Sequence, residues 1–364
     1  MAPIDLYDIG LSEQYVQEAR MHSLGLHLAR VSVQHKSLYK VLTECGEIIA
    51  EVSGKMLYAV TDSSDYPAVG DWVLVDRQSN NTGNAIIHHI LSRKSSFERK
   101  AAGPGLDRQI VAANIDTVFV CMSLNNNFNL RRLERYLSVT WDSGATPVVV
   151  LTKADLCNDV TTKLTETKRI AIGVDVVLTS SIGQEGYTAI KPYLGRGKTV
   201  AFVGSSGVGK STMINSLMGE EVLATRDVRG DDKGRHTTSY RQLLVLPTGG
   251  IVIDTPGMRE LQIASADLSK SFADIEEIAQ KCRYLDCKHI HEPECAVREA
   301  VENGTLSRER FGSYQKLQRE LEYEGLNSRQ RENAKIKRMF GGKGQMKKQL
   351  DYVKNKNGNF RDRS

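Results

Sequence analysis

Three observations predict a multidomain α/β protein. Short strand-like runs separated by glycines fill residues 37–100, apolar strands alternate with amphipathic helices between residues 113 and 265, and three cysteines and a histidine cluster at residues 282–295. The first pattern suits a small closed sheet, the second a parallel sheet with helices on both faces, and the third a helical module clamped by metal. The boundaries that follow are an N-terminal extension over 1–30, a barrel over 31–112, an α/β domain over 113–268, a metal-binding domain over 269–330 and a basic tail over 331–364.

In the extension, Leu11, Tyr15, Ala19, Leu24 and Leu26 are spaced as a short helix of weak register. The barrel strands are Tyr39–Leu42, Ile48–Val52, Trp72–Val75 and Ala85–Ile87, with Gly46, Gly54, Gly70 and Gly83 between them. Short strands at this spacing fit an OB-fold barrel. Trp72 reads as core, with a base-stacking platform as the alternative. Past the barrel, Arg93, Lys94, Arg99 and Lys100 surround Phe97. Such a cluster is either a solvated face or a surface for an RNA backbone, whose counterions are released when basic side chains neutralise its phosphates.

Asp116–Ser123 then reads as a strand. Leu130–Thr140 is an amphipathic helix with Leu130, Leu133 and Leu137 on one side and Arg131, Arg132, Glu134 and Arg135 elsewhere. Thr199–Val203 is a strand, and Met213, Ile214 and Leu217 have helical period. Between them lie Gly204, Ser205, Ser206, Gly207, Val208, Gly209, Lys210, Ser211 and Thr212, in the setting a phosphate-binding loop requires. Glycines let backbone N–H groups turn toward phosphate, Lys210 brings positive charge to the β and γ positions, and Ser211 offers a hydroxyl to Mg²⁺. The buried run Ile251–Ile253 delivers Asp254 to the same edge for the Mg²⁺ shell, and Gly257 can present its N–H to a γ-phosphate.

The run Pro147–Leu151 ends in Thr152, Lys153, Ala154 and Asp155. Asp155 is placed to accept hydrogen bonds from guanine N1 and N2 while the Lys153 stem covers the base. Adenine lacks those paired donors and would leave the carboxylate unsatisfied, a loss of roughly 1–3 kcal/mol or more. A second strand, Val174–Leu178, leads into Thr179, Ser180 and Ser181. The nucleotide is therefore GTP or GDP. In this enzyme class the base-reading motif usually comes last, whereas here it precedes the phosphate loop. A parallel sheet tolerates such circular permutation because its termini lie close together. The chain is opened just after Asp254–Gly257, so the γ-phosphate sensor leads straight into the metal-binding domain. Thr225–Thr238, with four Arg/Lys, three Asp and two Gly and no apolar period, reads as a loop that orders only around GTP and Mg²⁺.

Cys282, Cys287, His289 and Cys295 make a closed tetrahedral set for one structural Zn²⁺, with no position left for a reacting water. His291 is the competing imidazole and is assigned outside the ligand shell. Cys45, Cys121 and Cys157 are scattered, which argues against a disulfide framework.

The permuted motif order, the Gly230–Thr238 stretch with its Gly-Arg-His-Thr-Thr run, and the Cys/Cys/His/Cys set resemble the circularly permuted GTPases of the RsgA family over residues 30–325. The resemblance implies an N-terminal OB-fold, a permuted GTPase domain and a C-terminal zinc domain. It also implies late action on the 30S subunit, contact with 16S rRNA, and GTP hydrolysis that quickens on the ribosomal particle. A non-catalytic, nucleotide-dependent rRNA-binding checkpoint is the alternative. Many GTPases orient the attacking water with a Gln directly after the Asp-x-x-Gly motif, but Met258 stands there. His236 takes that role by resemblance, the alternative being that it only packs or touches rRNA. Thr238, or else Thr237, caps Mg²⁺ with Ser211. The catalytic set is thus Lys210, His236 and Thr238. Two departures from common patterns matter: Thr152 replaces Asn at the start of the base-reading motif, and Gly207 replaces the Asn of potassium-activated relatives.

Composition agrees. The chain is 40% hydrophobic, enough for real cores, and no apolar run approaches the roughly 18 residues of a membrane helix. Met1–Asp5 lacks a basic segment before an apolar core, so a cytoplasmic protein is expected, without membrane partners and monomeric. The net charge is +5, but residues 331–364 hold eleven Lys/Arg against three Asp/Glu, which leaves −3 for residues 1–330. Such a tail reads either as a segment that orders on RNA or as a solvated end.

Overall fold

Alternation of inward apolar and outward polar side chains builds the first domain. The computed structural model describes residues 3–22, 25–35, 37–60, 62–100, 108–125, 127–180, 187–223, 241–254 and 268–322, together with 330, 333, 344 and 345. Helix α1 (Glu13–Arg20) precedes β1 (His27–Gln34), β2 (Tyr39–Thr43), β3 (Gly46–Val52), the short α2 (Gly54–Ala59), β4 (Trp72–Val75) and β5 (Ala85–Ile90). β1 pairs antiparallel with both β2 and β4, β2 with β3, and β4 with β5, while β3 and β5 run parallel. These pairings close a five-stranded barrel around Ala29, Val31, Val41, Ala50, Val73, Val75, Ala85 and Ile87, all without solvent exposure. Closure removes the free edges an open sheet would expose. The first barrel strand begins at His27, inside the stretch read from sequence as the extension. Trp72 is 1% exposed and is core.

A hairpin of β6 (Ser96–Lys100) and β7 (Arg108–Ala113) leads out of the barrel. The α/β domain follows with β8 (Thr117–Ser123), α3 (Leu130–Asp142), β9 (Thr146–Thr152), α4 (Val160–Ile170), β10 (Asp175–Leu178), β11 (Thr199–Val203), α5 (Lys210–Met218), β12 (Gln242–Val245) and β13 (Ile251–Asp254). The sheet order is β10-β9-β8-β11-β13-β12, parallel except for the antiparallel β12. The central strands β8, β9, β11 and β13 are buried on both faces, which is why they read as unbroken apolar runs, whereas the edge strand β10 is exposed or half-buried throughout. Phe119 and Cys121 face a cluster with Met213 and Ile214 of α5. The alternate side chains Val118 and Val120 are also buried, and α3 packs on β8 and β9. Among the described residues, strand β12 also meets the barrel strand β1 through the antiparallel pair Val33 and Gln242.

Last come α6 (Ala273–Ala279), α7 (Ala296–Glu302) and α8 (Arg308–Glu322). Residues 1–317 form one compact unit and 318–364 a second. Within the first, α6 and α7 pack together around Phe272, Ile275 and Val297, each without solvent exposure.

Candidate nucleotide site and metal centre

β9, β10, β11 and β13 run the same way, so the turns that follow them converge on one edge of the sheet, where open α/β folds bind ligands. Gly204 leaves β11 at φ +147°, and a Cβ there would stand 2.4 Å from the Cys121 carbonyl oxygen, so only glycine lets the loop pass over β8. Gly209, at φ +96°, then turns the chain into α5, whose N-terminus points positive charge at the loop. The Lys210 ammonium donates to the carbonyl oxygens of Gly204 at 2.8 Å and Ser205 at 2.9 Å, which draws it over the loop. Beneath it, burial pushes the Cys121 thiol up to about 12, so the thiol stays protonated. Burial also raises the Asp254 carboxyl, and the nearby Lys210 charge opposes that shift.

Thr152 is bonded within the protein. Its hydroxyl donates to the Val208 carbonyl oxygen at 2.7 Å, tying the end of β9 to the phosphate loop. Lys153 is held in the left-handed region at φ 57°, a conformation uncommon for a residue with a side chain. It is pinned because the Ala154 N–H donates to the Thr179 carbonyl at 3.2 Å and the Thr179 N–H to Leu151 at 2.8 Å. The exposed Asp155 accepts from the Ser180 hydroxyl at 2.5 Å, which orients its carboxylate. Thr152 and Lys153, then Thr179, Ser180 and Tyr187, then Thr212 and Met213 of α5 line a single cleft beside Val208 and Gly209. Asp155 joins this cleft through its bond to Ser180, and Lys210 lies over the loop that borders it. His236, Thr237, Thr238, Gly257 and Met258 lie outside the described residues.

Two further residues reach this site. The Asn127 side chain donates to the Ser205 hydroxyl at 2.8 Å and accepts from Arg132 at 2.7 Å, bracing the phosphate loop from the turn after β8. The asparagine run at 125–127, at the carboxyl end of a strand, was its only sequence signal. Tyr187 begins the 3-10 turn Thr188–Tyr193 and had no motif to mark it.

Cys282, Cys287, His289 and Cys295 offer ligand atoms all within 4.8 Å of one another. His289 Nδ1 is 3.6 Å from Cys282 Sγ and 3.4 Å from Cys295 Sγ, so Nδ1 faces the cluster. Burial lowers the His289 pKa, favouring the neutral form that ligates metal. His291 is exposed and outside the cluster. The donor set, three soft thiolates and an imidazole, fits zinc.

The basic cluster after the barrel is differently employed. Arg93 clamps the buried Asp71 at 2.7 and 2.8 Å and donates to the Ser64 and Tyr66 carbonyls, Lys94 pairs with Asp116 at 2.7 Å, and Phe97 is 1% exposed. Arg93 and Phe97 are thus engaged inside the fold, while the Lys94 side chain keeps 39% of its surface exposed. The side chains of Arg99 and Lys100 lie outside the described set.

A family model described as RsgA GTPase matches residues 90–264. The small ribosomal subunit biogenesis GTPase RsgA 2 of Lactiplantibacillus plantarum is 53% identical over 346 residues, 95% of this chain and 97% of that protein. The crystal structure of YjeQ from Thermotoga maritima superposes with a TM-score of 0.60 at 28% identity, covering 81% of this chain and 98% of the other. That of YloQ, a circularly permuted GTPase, gives 0.59 at 26% identity, covering 83% and 96%. With the permuted motif order on one sheet edge, the closed barrel and the thiolate cluster, a match of this extent establishes that the chain belongs to the RsgA GTPase family.

Proposed function

We propose that this GTPase binds the 30S ribosomal subunit and its 16S rRNA late in small-subunit maturation, and hydrolyses GTP to GDP and phosphate to drive its release or pass a checkpoint. The observation that carries this reading is that the turn after β9, the loop after β11 and Asp254 at the end of β13 lie at the same edge of the parallel sheet, the first two lining one cleft. The similarity to a small ribosomal subunit biogenesis GTPase supplies the ribosomal context.

In this reading Asp155 selects guanine, the loop Gly204–Thr212 cradles the phosphates, and Lys210 leaves its carbonyl partners to meet the β- and γ-phosphates. Ser211 and Asp254 present the hydroxyl and carboxylate oxygens that Mg²⁺ prefers, with Thr238 completing the set. Bound Mg²⁺ neutralises charge developing on the transferring phosphoryl group. Gly257 senses the γ-phosphate, and His236 orients the attacking water that Met258 cannot hold. The metal held by Cys282, Cys287, His289 and Cys295 is zinc and is structural. The working divisions are 1–30, 31–112, 113–268, 269–330 and 331–364, and the tail contacts RNA. The protein acts as a cytoplasmic monomer; among the described residues no helix is long and apolar enough to cross a membrane.

Multiple-turnover hydrolysis measured with and without purified 30S particles tests the proposal. Stimulation by the particle is expected, and its absence would favour a non-catalytic checkpoint. His236→Ala is expected to keep GTP affinity while stimulated turnover falls about 10²-fold or more, the range for positioned acid/base groups. Unchanged turnover would remove His236 from the mechanism.

A further inference from the structure

Resting on the guanine-nucleotide reading above, Tyr187 acquires a role that no motif assigns. Its half-buried side chain packs against the apolar cluster containing Val150, Val208 and Met213, and it lines the same cleft as Lys153 and Ser180. Ser180, which shares that cleft with Tyr187, donates to the Asp155 carboxylate at 2.5 Å, so the ring and the carboxylate border the same end of the cleft; burial, and then the Asp155 charge, raise the phenol pKa. Two facts make such a neighbour consequential. Asp155 is exposed, and Thr152, at the motif's first position, spends its hydroxyl on Val208. A carboxylate open to water distinguishes poorly between a base that offers two donors and one that offers a single donor, because water replaces the missing partner. An adjacent aromatic wall excludes that water and lowers the local dielectric, which strengthens the hydrogen bonds that are made and penalises those that are not.

We propose that Tyr187 is a positioning residue for guanine: its ring walls the base slot beside Asp155 and sets the preference for guanine over hypoxanthine. Inosine diphosphate lacks the 2-amino group of GDP, so the ratio of the two affinities reports one of the two hydrogen bonds expected at Asp155. Dissociation constants for GDP and IDP would be measured by calorimetry on the full chain and on Tyr187→Phe, Tyr187→Leu and Tyr187→Ala. The parent chain is expected to favour GDP, and Tyr187→Phe to retain both affinity and preference. Leu and Ala should weaken GDP about five- to hundredfold, the range for losing an aromatic–base stack, and narrow the GDP-to-IDP ratio. Tyr187→Leu keeps apolar volume on the cluster, so it carries the test if the alanine variant fails to fold. Equal weakening of GDP and IDP would reduce Tyr187 to a packing role and overturn the proposal, as would unchanged GDP affinity in the leucine variant. Failure of the parent chain to bind GDP would instead sink the guanine reading itself.

Discussion

Arg30 and Arg310 are both buried, at 1% and 7% exposure, and each joins the α/β domain to a neighbouring domain, yet their charges are met in opposite ways. Arg30, on the barrel strand β1, donates to the carbonyl oxygens of Ile9, Gly70 and Asn114 and to the Thr199 hydroxyl, and lies 5.6 Å over the Trp72 ring. It forms no ion pair among the described residues, and burial lowers its pKa to about 10. Arg310, on α8, meets Glu134 of α3 at 2.9 Å and Asp274 of α6 at 2.7 Å, and sits 4.7 Å over Phe272. Burial works against its charge too, but Asp274 and Glu134 outweigh it and the pKa rises. Neutral dipoles supply all the Arg30 hydrogen bonds described, and the nearby buried anion, Asp71, is paired with Arg93 instead. The other joint adds a second desolvated charge, Glu134 at 3% exposure, whose Oε2 lacks a hydrogen-bond partner among the described residues. A joint of the second kind is more fragile, because removing either partner strands the other.

Gly70 makes the barrel joint close as well as polar. At φ +94° it lies where a Cβ would stand 2.2 Å from the Ala113 carbonyl oxygen and 2.9 Å from Ile253 of β13. The barrel thereby touches the strand that delivers Asp254.

The contrast can be broken experimentally, starting from the largest expected effect. Metal removal, by chelation or Cys287→Ser, should open residues 282–295 to protease while the barrel joint stays protected, since binding free energies of structural zinc are on the order of 10 kcal/mol; equal loss at both joints would mean they are not independent. Arg310→Ala should lower unfolding free energy by about 3–5 kcal/mol, because Glu134 remains buried and unpaired. Replacing both partners, Arg310→Met with Glu134→Met, should bring denaturant stability back to within about 2 kcal/mol of the parent, and failure to recover would show that stranded charge is not the cause. Arg30→Met should cost less, about 1–3 kcal/mol, since it leaves only neutral acceptors behind; a loss exceeding that of Arg310→Ala reverses the comparison. Arg196→Ala, which removes exposed ion pairs with Asp5 and Asp8, should leave the thermal midpoint unchanged in a calorimetric scan.

Much of the cleft is legible in the sequence because its parts are local. β8, β9, β11 and β13 are short apolar runs, and each motif follows its strand within a few residues. Other assignments were misdirected by distant partners. Glu134, placed with the polar side of its helix, is buried because Arg310 reaches it across 176 positions of sequence. In β1 the sequence alternates, but Arg30 and Ser32, which that alternation would turn outward, are buried at 1% and 2% exposure beside Ala29 and Val31. Arg93 looked like surface charge and is instead the internal counterion of Asp71.

The order of elements, the permutation, the motifs at 152–155, 204–212 and 282–295, and the uneven charge of the tail are properties of nearest neighbours along the chain, so the sequence by itself determined them. Which polar groups face inward was decided only by tertiary structure. Thr152 bonding to Val208, Tyr187 lining the cleft with Lys153 and Ser180, and the opposite environments of Arg30 and Arg310 all depend on which distant element supplies the partner. Burial of a polar side chain is favourable only once that partner is in place, and no local pattern encodes where it will come from.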